Sequence, residues 1–135
     1  MKILLCFLLT AASHAWACNP ELEGQKSSGN KMLESKNYAM VFRTTPEKTV
    51  IAKHFAVELA ICAKSGAFQA ESVRVDAHMP EHRHGMNYKT VVTSSGLGRY
   101  RAEGLMFHMP GRWEYIFEVR AGGVTERITT SVVLQ

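Results

Sequence analysis

Two stretches of strict alternation decide what this chain can fold into. In residues 54–62 (HFAVELAIC), Phe55, Val57, Leu59 and Ile61 stand two apart. In residues 112–120 (RWEYIFEVR), Trp113, Tyr115, Phe117 and Val119 do the same, opposite Glu114, Ile116 and Glu118. A strand sends successive side chains to opposite faces, so each set lands on one side of a sheet; a helix would scatter them. Further stretches repeat the pattern. Residues 38–44 place Tyr38, Met40 and Phe42 together before Pro46 breaks the run, and residues 72–77 place Val73, Val75 and Ala77 together. Residues 98–107 read as a strand interrupted by Gly104, and residues 124–134 as a Thr- and Val-rich strand after the Gly122-Gly123 hairpin signal. With strands at short spacing and no convincing amphipathic helix, the expected fold class is all-β, a β-sandwich of about seven strands.

The N-terminus is of another kind. Lys2 precedes an almost purely apolar run over residues 3–12, and Ala15-Trp16-Ala17 puts small residues at both recognition positions of a leader-peptidase site. Residues 1–17 are therefore expected to be a cleaved signal peptide, cut between Ala17 and Cys18, with the mature protein periplasmic or secreted. A membrane anchor would need about 18 continuous apolar residues, and Ser13 and His14 interrupt this run. The 118 residues left from 135 suffice for one hydrophobic core: a flexible N-terminal arm over residues 18–37, rich in Gly, Ser and Asn, then one domain over residues 38–135. Loss of Lys2 lowers the formal charge from +4 to +3. No Lys/Arg block accompanies this mild basicity, so a nucleic-acid partner is not expected.

Of three cysteines, Cys6 leaves with the leader. In an oxidising compartment the remaining pair, Cys18 and Cys62, is most simply a disulfide. The competing fate of Cys18 is lipidation at the cut, which would leave Cys62 free and hold the protein on a membrane. Ala15 and Trp16 stand where a lipoprotein site usually carries Leu and a small residue.

One window carries chemistry: His78-Met79-Pro80-Glu81-His82-Arg83-His84-Gly85-Met86. Together with His108 and Met109 in the Phe107-His108-Met109-Pro110-Gly111 turn, it gathers four of the six histidines and three of the seven methionines. Thioether sulfur is a soft ligand favouring Cu(I), whereas imidazole serves Cu(I), Cu(II) and Zn(II). The candidate metal ligands are Met79, His82, His84, Met86, His108 and Met109, with copper, as Cu(I), first, and Cu(II) or Zn(II) as alternatives. Met79 shares the parity of Val73, Val75 and Ala77, so it is a core side chain if the strand runs on, and His78 then faces solvent. Met109 has the parity of Leu105 and Phe107 and is core or ligand. His54 opens a strand alone and reads as a surface or capping residue; Met40 and Met106 fit strand packing.

Other chemistries are set aside on residue grounds. A blue-copper site needs a thiolate beside two histidines, and Cys62 is distant from the cluster. The His pair lacks the i, i+4 helical spacing of a zinc hydrolase, and Pro80 argues against a helix there. Neither a nucleophile elbow nor a phosphate loop is present, and the chain is not expected to be an enzyme.

The phrases Met79-Pro80-Glu81-His82-Arg83-His84-Gly85, Gly98-Arg99-Tyr100 and Phe107-His108-Met109-Pro110-Gly111-Arg112-Trp113 resemble those of the YtkA-like and FixH-like domains. The likeness extends over about residues 38–134. It implies an extracytoplasmic immunoglobulin-like β-sandwich associated with copper handling or with assembly of haem-copper oxidases. FixH-like proteins usually carry an N-terminal membrane helix where this chain has a leader, so the soluble YtkA-like form is the nearer. The expected function is an exported copper carrier or scavenger. The alternative is a non-catalytic structural module whose Met/His loop faces a periplasmic protein partner.

Overall fold

The computed structural model describes residues 18–23 and 28–135; the expected signal peptide, residues 1–17, lies outside the described residues. Nine strands follow in order: β1 (Lys31–Glu34), β2 (Tyr38–Thr45), β3 (His54–Ala63), β4 (Ser72–Met79), β5 (His84–Gly85), β6 (Val91–Gly96), β7 (Arg99–Met106), β8 (Gly111–Ala121) and β9 (Val124–Leu134). They form a five-stranded sheet, β1-β2-β3-β7-β6, and a four-stranded sheet, β5-β4-β8-β9. Without the short edge strands β1 and β5, the order β2-β3-β7-β6 against β4-β8-β9 is that of a constant-type immunoglobulin sandwich. The expected all-β sandwich is therefore present, with two accessory strands at its margins.

The alternating stretches supply the core. Trp113, Tyr115, Phe117 and Val119 of β8 all face inward with almost no exposure, against Phe42, Phe55, Leu59 and Phe107 from the other side. Ring centroids lie 5.0 Å apart for Phe42 and Phe117, 4.8 Å for Phe55 and Phe107, and 5.0 Å for Phe107 and Trp113. Such aromatic contacts add about 0.5–1.5 kcal/mol each beyond the area they bury. The interruption expected at Gly104 is a bulge. Phe55 pairs with Leu105 but Val57 with Ala102, so one residue of β3 spans two of β7. Gly104 takes φ +87°, where L side chains are strained, and Leu105 and Phe107 turn inward although Tyr100 and Ala102 are the inward residues before it.

Part of the segment expected as a flexible arm is regular structure. β1 pairs antiparallel with β2, Lys31 opposite Phe42 and Glu34 opposite Ala39. Its side chains are mostly exposed on both faces, so no apolar alternation marks it in the sequence. Ahead of it, Cys18 is joined to Cys62 by a disulfide. A sulfur so engaged cannot also carry a lipid. Leu22 is buried with Val41 and Ala60 on the outer face of the five-stranded sheet. The Arg43 guanidinium donates to the Glu23 carbonyl (2.8 Å), and Arg99 Nε donates to the Glu21 carbonyl (3.3 Å). Residues 18–23 thus form a strap fastened covalently, by an apolar anchor and by two arginines.

The sandwich has two distinct ends. The register sets Ala63 opposite Tyr38 and His54 opposite Met106, so the Cys62 disulfide lies at one end of β3 and His54 at the other. The turns 80–83 and 107–110 belong to the His54 end, because Met79 ends β4, Met106 ends β7 and Gly111 opens β8.

Candidate metal centre

All five histidines among the described residues, His54, His78, His82, His84 and His108, lie at this second end. Three of them form a row. The rings of His82 and His84 are 5.7 Å apart between centroids, and those of His84 and His108 5.1 Å, tilted 31°. With a metal–nitrogen bond of about 2.0 Å, two imidazoles on one ion have centroids roughly 5–6 Å apart, so both spacings suit shared ligation.

Local structure explains the row. β4 runs on to Met79, the chain reverses through Pro80, Glu81, His82 and Arg83, and β5 pairs His84 with Met79 and Gly85 with His78. Arg83 takes the left-handed conformation, φ +55°, that closes this reversal. From the facing sheet, the inward turn of Phe107 after the Gly104 bulge brings the 107–110 segment across to β8. The two segments are clasped by Arg112, whose Nε donates to Glu81 Oε1 at 2.6 Å. That hydrogen bond is the main reason the Glu81 carboxyl is held below the usual carboxylate range, helped by a hydrogen bond from its own backbone.

Trp113 is the wall behind the row. Fully buried, it lies edge-to-face with His84 (5.9 Å, 70°) and with His108 (5.1 Å, 82°). Its Nε1–H donates to the Met109 carbonyl at 3.0 Å, fixing the turn that presents His108. Gly111 opens the strand at φ +122°, and a Cβ there would stand 2.7 Å from the Met79 methyl. Only glycine lets the turn close this tightly over Met79.

His84 Nδ1 lies 3.1 Å from the Gly85 carbonyl oxygen. A carbonyl only accepts, so Nδ1 carries the proton and Nε2 the lone pair. His108 Nδ1 is buried and has no hydrogen-bond partner. A buried polar atom left unsatisfied costs about 1–3 kcal/mol, which a Lewis acid at that nitrogen would relieve. No set of three or more His, Cys, Asp or Glu side chains among the described residues is already posed to hold a metal ion. His84 and His108 are the closer pair of the row, and His82 beside them is exposed.

The remaining candidates separate. Met79 lies in the core: β4 extends to it, the parity of Val73, Val75 and Ala77 holds, and it is only 1% exposed. Its neighbour His78 falls on the outer face, its Nε2 2.9 Å from Glu114 Oε1. Met86 is half-buried against the core and borders a depression of about 560 Å³ shared with Tyr88 and Thr90, beside the row rather than in it. Met109 is half-buried beside His108. Sequence reasoning assigned Trp113 to the core alone and gave Glu81 and Arg112 no role. The Trp two residues past a Pro-Gly turn was the available signal for the first; nothing in the sequence pairs the other two.

Fold and site together define a small immunoglobulin-type sandwich, disulfide-pinned at one end and histidine-rich at the other. Residues 32–118 match the YtkA-like family, and the chain belongs to it. That membership and the disulfide are compatible with export. Among solved structures, a DUF4426 family protein from Pseudomonas aeruginosa PAO1 is similar at 9% identity and a TM-score of 0.49, covering 79% of this chain and 97% of its own. No protein with a curated description matches.

Proposed function

We propose that this is an exported, non-catalytic copper carrier that takes Cu(I) as cargo between His84 and His108. The observation that carries this reading is the buried, partnerless Nδ1 of His108 in a ring packed 5.1 Å from that of His84. His82, 5.7 Å from His84 between ring centroids, and the half-buried Met109, next in sequence to His108, are further candidate donors. A structural Zn(II) site wants a closed shell of about four ligands, and the described residues offer no such group. Cu(I), soft and content with fewer ligands, suits two imidazoles with a thioether nearby. The carrier role follows from position: His82 is exposed and His84 half-buried at the tip of a short hairpin, where a partner can reach a bound ion.

The test is anaerobic competition for Cu(I) against a chromogenic chelator. The purified protein should withdraw one equivalent, and the variant His84→Ala/His108→Ala none, with its far-UV spectrum unchanged. Stoichiometric tight binding by that variant would overturn the assignment. Parallel titrations with Cu(II) and Zn(II) should give weaker binding, and a preference for Zn(II) would equally refute it.

A further inference from the structure

His54 and Met106 lie outside the row just described, on a different face of the molecule. They are register partners at the start of β3 and the end of β7. Their neighbours Phe55 and Leu105, also paired, are buried in the core at 5% and 0% exposure. Alternation therefore sends His54 and Met106 to the outer face of the five-stranded sheet, side by side. Directly opposed residues on one face of an antiparallel pair have Cβ atoms about 5 Å apart, close enough for an imidazole nitrogen and a thioether sulfur to share an ion.

The surroundings fit a soft ion better than a hard one. The Tyr88 ring stands edge-on to His54 at 4.9 Å. Tyr88 comes just before β6, and β7 lies between β3 and β6, so this contact spans the end of β7 where Met106 stands. Met106 is half-buried, as a side chain covered from one side should be. The groove beside His54 is lined by Thr45, Phe55, Arg101 and Glu103. Glu103, the carboxylate there, is engaged by Arg101 Nε at 3.0 Å. A divalent ion would meet a committed carboxylate and a guanidinium, whereas a monovalent soft ion needs only the neutral nitrogen and sulfur.

We propose that His54 and Met106 form a second binding site for a soft monovalent metal, Cu(I) or its analogue Ag(I), with Tyr88 as its cover. It adds to the copper-carrier reading but uses none of that site's residues. Lacking a buried, partnerless nitrogen such as that of His108, it is the weaker site, and it lies at the same end of the sandwich.

Ag(I), stable in air, is the probe. Native mass spectrometry of the whole protein should count two Ag(I) ions, falling to one in His54→Ala/Met106→Leu. In methyl-labelled protein the Met106 methyl resonance should shift on Ag(I) addition in the unaltered chain and in His84→Ala/His108→Ala, but not in His54→Gln. Because these positions are exposed or half-buried, the variants should keep their melting temperature within about 3 °C. A Met106 methyl that ignores Ag(I), or an unchanged ion count in His54→Ala/Met106→Leu, would overturn the proposal. The two readings fail separately: one ion lost only with His84 and His108 refutes this site and leaves the first, while one ion lost only with His54 and Met106 does the reverse.

Discussion

Replacing both cysteines, Cys18→Ala with Cys62→Ala, removes a cross-link whose partners are 44 residues apart. In the chain-entropy treatment, closing a loop of that size restricts the unfolded chain by about 4 kcal/mol at room temperature. The folded side changes little. Cys62 is half-buried, so a methyl in its place opens no large cavity, and the Leu22 anchor and the Arg43 and Arg99 hydrogen bonds remain. If the untethered strap detaches, the loss of Leu22 burial adds about 2 kcal/mol. Urea unfolding should therefore show a midpoint roughly 2–3 M lower and a steeper slope, since an uncross-linked chain exposes more surface on unfolding. The metal assay supplies the control: Cys62 lies at the end of β3 away from His54, so one equivalent of Cu(I) should still be taken up. Using both alanines leaves no stray thiol to bind it. A loss of stability under about 1 kcal/mol would refute the view that the strap is held chiefly by its cross-link, and a loss of Cu(I) uptake would refute the independence of the two ends.

Trp113→Phe keeps an aromatic ring but deletes the donor to the Met109 carbonyl, and should cost about 2–3 kcal/mol by thermal melting. It should also weaken Cu(I) binding roughly tenfold, the usual scale for residues that orient a ligand. Gly111→Ala forces an L side chain to φ +122° against the Met79 methyl, and should destabilise the domain by about 1–3 kcal/mol in the same melt. Burial pushes the Tyr115 hydroxyl pKa far above its ordinary 10.0. Below that value both folded and unfolded chains keep the proton; above it only the unfolded chain releases it, so stability should fall as pH rises beyond about 10. Melting curves from pH 8 to 11.5 should show this decline, less steep in Tyr115→Phe; equal slopes for the two would exclude Tyr115 as a cause.

How legible the fold was depended on which strands have one buried face. β3 and β8 separate a core side from an outer side, and the alternation of Phe55, Val57, Leu59 and Ile61 or of Trp113, Tyr115, Phe117 and Val119 reports it directly. β1 and β6 are exposed on nearly every residue, so their ladders with β2 and β7 leave no mark in the order of side chains. The site was legible in the same uneven way. His82, His84 and Met86 stood out because no apolar period accounted for them, and His108 through its place in the turn over residues 107–111. Which of them would meet depended on the bulge in β7 and on the Glu81–Arg112 clasp, both products of tertiary structure. Met79 could be read two ways until the length of β4 was known. His54 and Met106 each looked ordinary because their significance is a register, and register belongs to neither segment alone.

The bulge at Gly104 works as a phase shifter. Ahead of it even-numbered residues of β7 face the core, and after it odd-numbered ones do. Regular alternation continued from Ala102 at the same length, without the bulge, would exchange the fates of Phe107 and His108: the phenyl ring would go to water, the imidazole among Phe55 and Trp113. The extra residue accommodated at Gly104 thus sets which side chains meet beyond the end of β7. Among relatives of this chain, changes in the length of β7 should be confined to the bulge itself.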